Sequence, residues 1–219
     1  MRLISYNILN PHHAVKWKTF EGITTQGGNN WHLHRKEQII SNLKLAQFDV
    51  AAVQELSPQT HQELSEHFSI VAFDTHMSND GEKGLHGTAI LLNPKTVKLI
   101  KTSIYSTSSK HRVAASCDVR DLSNQKTLRI VSVHLKGYDP YEQNTDKKRK
   151  SQRAGDLELD AYIKQALKDT NSIDGVVFMG DFNEDSDEMH RTDSRQNKLL
   201  DLDFIWDKII DITEPRKQR

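Results

Sequence analysis

A single cysteine, Cys117, rules out an intramolecular disulfide, and the start of the chain, MRLISYNILN, lacks the basic end and long apolar run of a secretory signal. A reducing, cytoplasmic compartment is therefore expected. No stretch of the sequence reaches the roughly 18–20 consecutive apolar residues that a membrane span requires, so no membrane partner is expected. Net charge is missing as well. Thirty Lys and Arg are cancelled by thirty Asp and Glu, which excludes a chain-wide positive field that would draw the protein to nucleic acid regardless of sequence. Any nucleic-acid contact must be local. Repeats, low-complexity segments and shifts of composition are absent too, so nothing marks a domain boundary. What is present is 36% hydrophobic content in 219 residues, enough for one sizeable core. Residues 1–219 are expected to form a single domain acting as a monomer.

Two-residue alternation predicts a strand over Leu3 to Leu9, with Ile4, Tyr6 and Ile8 on one face and Leu3, Ser5 and Asn7 on the other. Residues 10–34 read as a long loop, and Arg35 to Gln47 as a helix with Ile39, Ile40, Leu43 and Ala46 on one stripe. Val50 to Val53 is a short strand closing on Gln54 and Glu55, and Pro58 follows where a helix can begin. Thr88 to Leu92, Arg112 to Val119 and Leu128 to Leu135 read as further strands, with a turn at Asn93-Pro94. The charged stretch Tyr138 to Lys150 leads into a helix that buries Leu159, Ile163, Ala166 and Leu167. Val176 to Met179 then runs straight into Gly180-Asp181-Phe182-Asn183. Leu199 to Ile210 has helical spacing, and Pro215 to Arg219 is a basic tail.

Strands thus end in Asn7, Glu55, His134 and the pair Asp181 and Asn183. Strand ends on one edge of a sheet converge, so these side chains can line one cleft. Carboxylate and amide oxygens suit a hard ion such as Mg²⁺, for which Glu55 is the best candidate ligand. Asp181 fits the positioning of an attacking water, and His134 and Asn183 fit hydrogen-bond donation to phosphate oxygens as charge builds in a transition state. Each residue also has a bland reading. An Asp or Asn after a strand is most often a turn or cap residue, a Glu there favours the start of a helix, and a lone His is commonly a satisfied half-buried imidazole. Only the ordered set argues for chemistry.

Ser-Tyr-Asn-Ile-Leu (5–9), Val-Gln-Glu-Leu (53–56), His-Gly-Thr-Ala-Ile (86–90), Ser-Val-His-Leu (132–135) and Met-Gly-Asp-Phe-Asn (179–183) resemble the successive motifs of the endonuclease/exonuclease/phosphatase superfamily. The resemblance runs from residue 1 to about 185, and the Gln-Glu and Gly-Asp-Phe-Asn elements are specific when they occur in this order. It implies an α/β fold in four layers, two packed mixed β-sheets flanked by helices, with a Mg²⁺ or Mn²⁺ site at one edge. It also implies that Glu55 binds the metal with help from Asn7, and that His134, Asp181 and Asn183 complete the phosphate and water site. Within the superfamily, Ser-Tyr-Asn-Ile-Leu, Trp31 followed by Arg35, and His-Leu-Lys (134–136) with Arg149 and Gln152 look most like the deadenylase and nocturnin branch, in which the lysine matching Lys136 contacts substrate phosphate.

Two departures stand against this pattern. The closing Ser-Asp-His element of the family is absent, since no histidine lies beyond His190 and Asp187 to His190 follows the Gly-Asp-Phe-Asn motif too closely. A C-terminally truncated domain lacking its last strands is the expectation. Gly137-Tyr138 also stands where the nocturnin-like branch has Ala-Arg.

Other features carry less. Lys147 to Lys150 is a candidate phosphate-backbone or nuclear-import patch, though such a run is usually solvated surface. His32 and His34 are spaced as on a strand but have no matching ligand set. His12, His13, Trp17 and Trp31 fall in the early loop, where aromatics can stack a base or pack the loop itself. Cys117 reads as a small buried hydrophobe. The expected function is Mg²⁺-dependent hydrolysis of phosphodiester or phosphomonoester bonds, with RNA, single-stranded DNA or a nucleotide as substrate. The alternative is a catalytically degenerate module of the same fold that binds phosphate or nucleic acid.

Overall fold

A computed structural model of the chain describes residues 1–8, 28–77, 83–107, 112–137, 144–183 and 195. All the described strands and helices fall in the first of the chain's two compact units, Met1–Asn183 and Glu184–Arg219. In chain order they are β1 (Leu3–Asn7), α1 (Gly28–Ala46), β2 (Val50–Leu56), α2 (Pro58–Ser65), β3 (Ser69–Met77), β4 (Lys83–Leu92), β5 (Val97–Ser106), β6 (Val113–Asp121), β7 (Thr127–His134), α3 (Thr145–Ala166) and β8 (Gly175–Asp181).

They make two four-stranded sheets, ordered β1-β2-β4-β3 and β5-β6-β7-β8. Each sheet is antiparallel except for one parallel pair, β1 with β2 and β7 with β8. The sheets stack face to face, β2 and β4 against β7 and β6, and β1 against β8. Both parallel pairs therefore meet on the same side of the sandwich.

The two faces of the first sheet follow directly from alternation. Ala51, Val53, Ala89 and Leu91 face outward and pack with Ile39, Ile40 and Leu43 of α1 and Leu64 of α2, while Val50, Ala52, Ile90 and Leu92 face inward onto Cys117, Val119 and Ile130 of the second sheet. The helix α3 covers the second sheet with Leu159, Tyr162, Ile163 and Ala166 buried. Each fully buried large aliphatic side chain such as Leu43 contributes roughly 2 kcal/mol. The result is the expected α/β sandwich of two mixed sheets between helices.

Helix ends are fixed by local chemistry. The Ser57 hydroxyl accepts the Thr60 N–H at 3.1 Å with Pro58 in the first turn of α2, and the Asn144 side-chain oxygen Oδ1 accepts the N–H groups of Asp146 and Lys147 at 3.1 and 3.2 Å to start α3.

The fold departs from the expected elements in several places, among them β4, which begins at Lys83 rather than Thr88. The helix α1 begins at Gly28 rather than Arg35, so Trp31, His32 and His34 lie on its first turns and not in a loop, and the strand-like spacing of the two histidines has no strand beneath it. β2 continues through Gln54 and Glu55 to Leu56, with an irregularity in its pairing to β4. β3 and β5 were not anticipated. Among the described residues β5 pairs along one edge, and its central residues Lys98 to Thr102 are all exposed, so it carries no one-sided apolar signature. His12, His13, Trp17, Tyr138, Asp187 to His190, Leu199 to Ile210 and Pro215 to Arg219 lie outside the described residues.

Cys117 is 1% exposed between the sheets, as expected of a small apolar residue. Burial, reinforced by the neighbouring Asp118 charge, pushes its thiol up to about 12. The folded protein should therefore show no reaction with a disulfide reagent at pH 8, and release one equivalent of thiol when guanidinium is added. Fast labelling of the folded protein would place Cys117 outside the core.

Candidate active site

The side chains at the C-terminal ends of β1, β2, β7 and β8 meet where the two sheets face each other. Parallel register sets this up twice: Asn7 lies beside Gln54, and His134 beside Asp181. In β8 the conformation of Gly180, φ +141°, is one that side chains rarely adopt, and a Cβ there would stand 2.0 Å from the Val133 carbonyl oxygen. Glycine at this position lets β8 run close enough to β7 to carry Asp181 to His134.

Glu55 is aimed by a bulge. Gln54 pairs with Thr88 and Leu56 with Gly87, leaving Glu55 as the extra residue with φ 62°. Without it, Glu55 would follow Ala51 and Val53 toward the helices. Instead Leu56 joins that outer cluster, and the carboxylate of Glu55 turns to the seam. Gln54, 0% exposed, pins the same region: it accepts from the Ser5 hydroxyl at 3.2 Å and donates to Ser132 Oγ of the opposite sheet at 3.3 Å.

The amide of Asn7 spans the seam. Its Nδ2 donates to Glu55 Oε1 at 3.1 Å and to Asp181 Oδ2 at 2.9 Å, joining one carboxylate from each sheet. His134 Nε2 lies 3.9 Å from the same two oxygens. Glu55 and His134 are buried, whereas the Asp181 side chain is 30% exposed and opens the group to solvent. Two carboxylates drawn to one point repel, and one amide and one imidazole offset that only in part. Their oxygens are the donor set a hard divalent cation takes, so the residues present fit Mg²⁺ or Mn²⁺.

A surrounding shell fixes this geometry. The Asn183 N–H donates to Asp181 Oδ1 at 2.8 Å, and its side-chain amide donates to the Leu135 carbonyl at 2.8 Å. Asn183, φ 52°, thus orients Asp181 and clamps β7 to the turn after β8, with its amide turned to the backbone. Gly137 makes room for it, since a Cβ there would fall 2.4 Å from Asn183 Oδ1. Arg112 donates to the His134 carbonyl at 3.2 Å, and the buried Glu158 of α3 accepts the Lys136 N–H at 2.6 Å. The Lys136 side chain is exposed. The structure therefore brings Asn7, Glu55, His134 and Asp181 together, places Asn183 behind them, and leaves Lys136 at the surface beside them.

Two further histidines were not singled out. His76 of β3 and His86 of β4 approach His134, with ring centres 5.6 and 5.7 Å from it. Burial pushes the His76 imidazole well below the usual histidine range, with the charges of Arg112, His134 and His86 adding to the effect. Their signal is a pair of histidines on adjacent antiparallel strands, invisible until β3 is known to be a strand.

The sequence model of the Endonuclease/Exonuclease/phosphatase family matches residues 4–216. No curated protein matches the chain by sequence. Among solved structures, the human Nocturnin catalytic domain with bound sulfate anion is similar at 16% identity and TM-score 0.57, over 93% of this chain and 69% of that one. ANGEL2, a 2',3'-cyclic phosphatase, is similar at 17% identity and TM-score 0.60, over 84% and 53%. D. rerio TDP2 complexed with single strand DNA product is similar at 22% identity and TM-score 0.52, over 84% and 61%.

Proposed function

The chain belongs to the endonuclease/exonuclease/phosphatase family, and from that premise we propose that it is a Mg²⁺- or Mn²⁺-dependent phosphoesterase acting on nucleic-acid or nucleotide phosphates. The observation that carries this reading is the single Asn7 amide held between Glu55 and Asp181, with His134 3.9 Å from both.

Glu55 and Asn7 are the residues that would hold the cation, which when bound supplies charge to offset the phosphate oxygens. Asp181, fixed by the Asn183 N–H and partly exposed, orients and deprotonates the attacking water. The water attacks phosphorus as one P–O ester bond breaks, the proton taken by Asp181 passes through solvent to the departing oxygen, and the alcohol and the phosphate product are released. His134 donates a hydrogen bond to a phosphoryl oxygen whose charge grows in the transition state. Lys136 meets a neighbouring phosphate. Exposed Lys147, Arg149 and Lys150 on the first turns of α3 offer local positive charge to a chain of phosphates, consistent with zero net charge overall. The similarity to TDP2 with a single strand DNA product and to ANGEL2 supports nucleic-acid or nucleotide phosphates as the substrate class.

The test is hydrolysis by the purified chain of 5′-labelled oligo-A, mixed RNA, single-stranded DNA and bis-p-nitrophenyl phosphate with Mg²⁺ or Mn²⁺. Turnover that EDTA abolishes is expected. Binding of the oligonucleotides with no turnover in a folded sample would replace the enzyme reading with that of a phosphate-binding module.

Gly137→Ala gives a finer check. The added methyl displaces Asn183, which loosens Asp181 without touching the core. We expect kcat to fall about tenfold, as for a misplaced positioning group, with KM and the melting temperature nearly unchanged. Unaltered kcat would mean that Asn183 does not set the position of Asp181.

A further inference from the structure

We propose that His76, His86 and His134 form a binding site for a divalent transition metal of the zinc class, and that its occupancy inhibits the phosphoesterase centre with which it shares His134. The binding site stands on its own geometry; the inhibition rests on the functional reading above.

One potential ligand nitrogen from each of the three imidazoles lies within 4.8 Å of the other two. Their ring centres form a nearly equilateral triangle, 5.3, 5.6 and 5.7 Å on a side. Three imidazoles on a tetrahedral ion, with metal–nitrogen bonds of about 2.0–2.1 Å, place their ring centres about 5.2 Å apart. A water at the centre, with hydrogen bonds of about 2.9 Å, would spread them to about 6.5 Å. The ring centres match the spacing around an ion, and the ligand nitrogens, which lie up to 4.8 Å apart against about 3.3 Å around such an ion, must turn inward to complete it.

The chemistry of the ligands separates this site from the one beside it. Imidazole nitrogens suit zinc, copper and nickel, whereas the oxygens of Glu55 and Asp181 suit magnesium and manganese. His76 is 5% exposed, and its Nε2 is buried with no hydrogen-bond partner among the described residues. Such a buried ring nitrogen is costly unless something binds it. Its other nitrogen, Nδ1, accepts the Val113 N–H at 3.3 Å. Metal on Nε2 moves the ring proton to Nδ1 and forgoes that bond, which is a long one. His86 is only partly buried and gives the ion a way in. Three protein ligands leave a fourth position open, as zinc sites that exchange water or anions do.

The test uses the whole chain without an affinity tag. Titration with Co²⁺, read by the visible bands of a tetrahedral cobalt centre, and calorimetry with Zn²⁺ should each show one ion per chain. His86→Ala should abolish the cobalt bands and weaken Zn²⁺ at least about 100-fold, with far-UV circular dichroism confirming the fold; His76→Gln serves if that variant does not fold. Replacing both His32 and His34 by alanine should leave the bands intact. Absence of one-to-one uptake, uptake that survives His86→Ala, or its loss in the His32 and His34 variant would overturn the site. One equivalent of Zn²⁺ should also lower Mg²⁺-supported turnover at least about tenfold. Full turnover in the zinc-loaded protein would overturn the shared role of His134. A cobalt centre in a chain with no turnover under any metal would leave the site standing and remove the phosphoesterase reading instead.

Discussion

Asp181→Asn and Glu55→Gln are each expected to lower kcat about 10³-fold while leaving a folded protein. Both replacements keep the shape of the side chain and remove a charge from a crowded pair, so like-charge repulsion falls. The loss in stability is small and specific. Asp181 accepts from Asn183 through Oδ1 and from Asn7 through Oδ2, and an asparagine keeps only one accepting oxygen. One of those bonds is lost, at about 1 kcal/mol. On the proposed function the functional loss is larger, because the carboxylates then act on the transition state, where charge is greatest. The double variant should be scarcely worse than either single one, since the two carboxylates share one amide and, on the proposed function, serve one bound group. Steady-state kinetics with saturating Mg²⁺ decides it: more than a tenth of the activity in both single variants would remove these residues from the chemistry.

The largest expected loss of stability lies away from the seam. Arg129 of β7 reaches the helix side of the second sheet and makes four bonds there. Its guanidinium donates to both carboxylate oxygens of Asp118 at 2.7 and 2.9 Å, and to the carbonyls of Ala166 and Lys168 at 2.7 and 2.6 Å. Those carbonyls end α3, where a cation also meets the negative pole of the helix. Arg129→Ala strands a buried Asp118 carboxylate and two terminal carbonyls, and is expected to cost about 3 kcal/mol in urea unfolding. The loss should reach the seam as well, because α3 carries Glu158, which holds the Lys136 N–H. Replacing Arg129 by Met and Asp118 by Leu together should recover most of the stability. A loss under 1 kcal/mol for Arg129→Ala would show the four bonds to be largely water-replaceable.

Much of the seam could be read from the chain because its residues sit at strand ends with simple alternation. Leu3, Ser5 and Asn7 share a face in sequence and in space, and Gly-Asp-Phe-Asn directly follows an apolar strand. The orientation of Glu55 could not be read. It depends on a bulge whose extra residue is defined only against Thr88 and Gly87 of another strand. The placement of the Asn183 amide could not be read either: it donates to the Leu135 carbonyl, a partner 48 positions away. β5 escaped because an edge strand exposed along its centre has no apolar face to repeat. The early start of α1 escaped because Gly, Asn and His are weak helix formers, and the tertiary contacts of Ile39, Ile40 and Leu43 outweigh that weakness.

The bond from Asn7 to Asp181 joins residues 174 positions apart. On the ribosome, Asn7 and Glu55 emerge early and must wait, because the carboxylate that completes their group comes from β8, the last of the described strands. Pairings that span so much chain close slowly. On refolding from denaturant, helix signal should therefore return first and, on the proposed function, competence for hydrolysis last, so that turnover would time the docking of the two sheets.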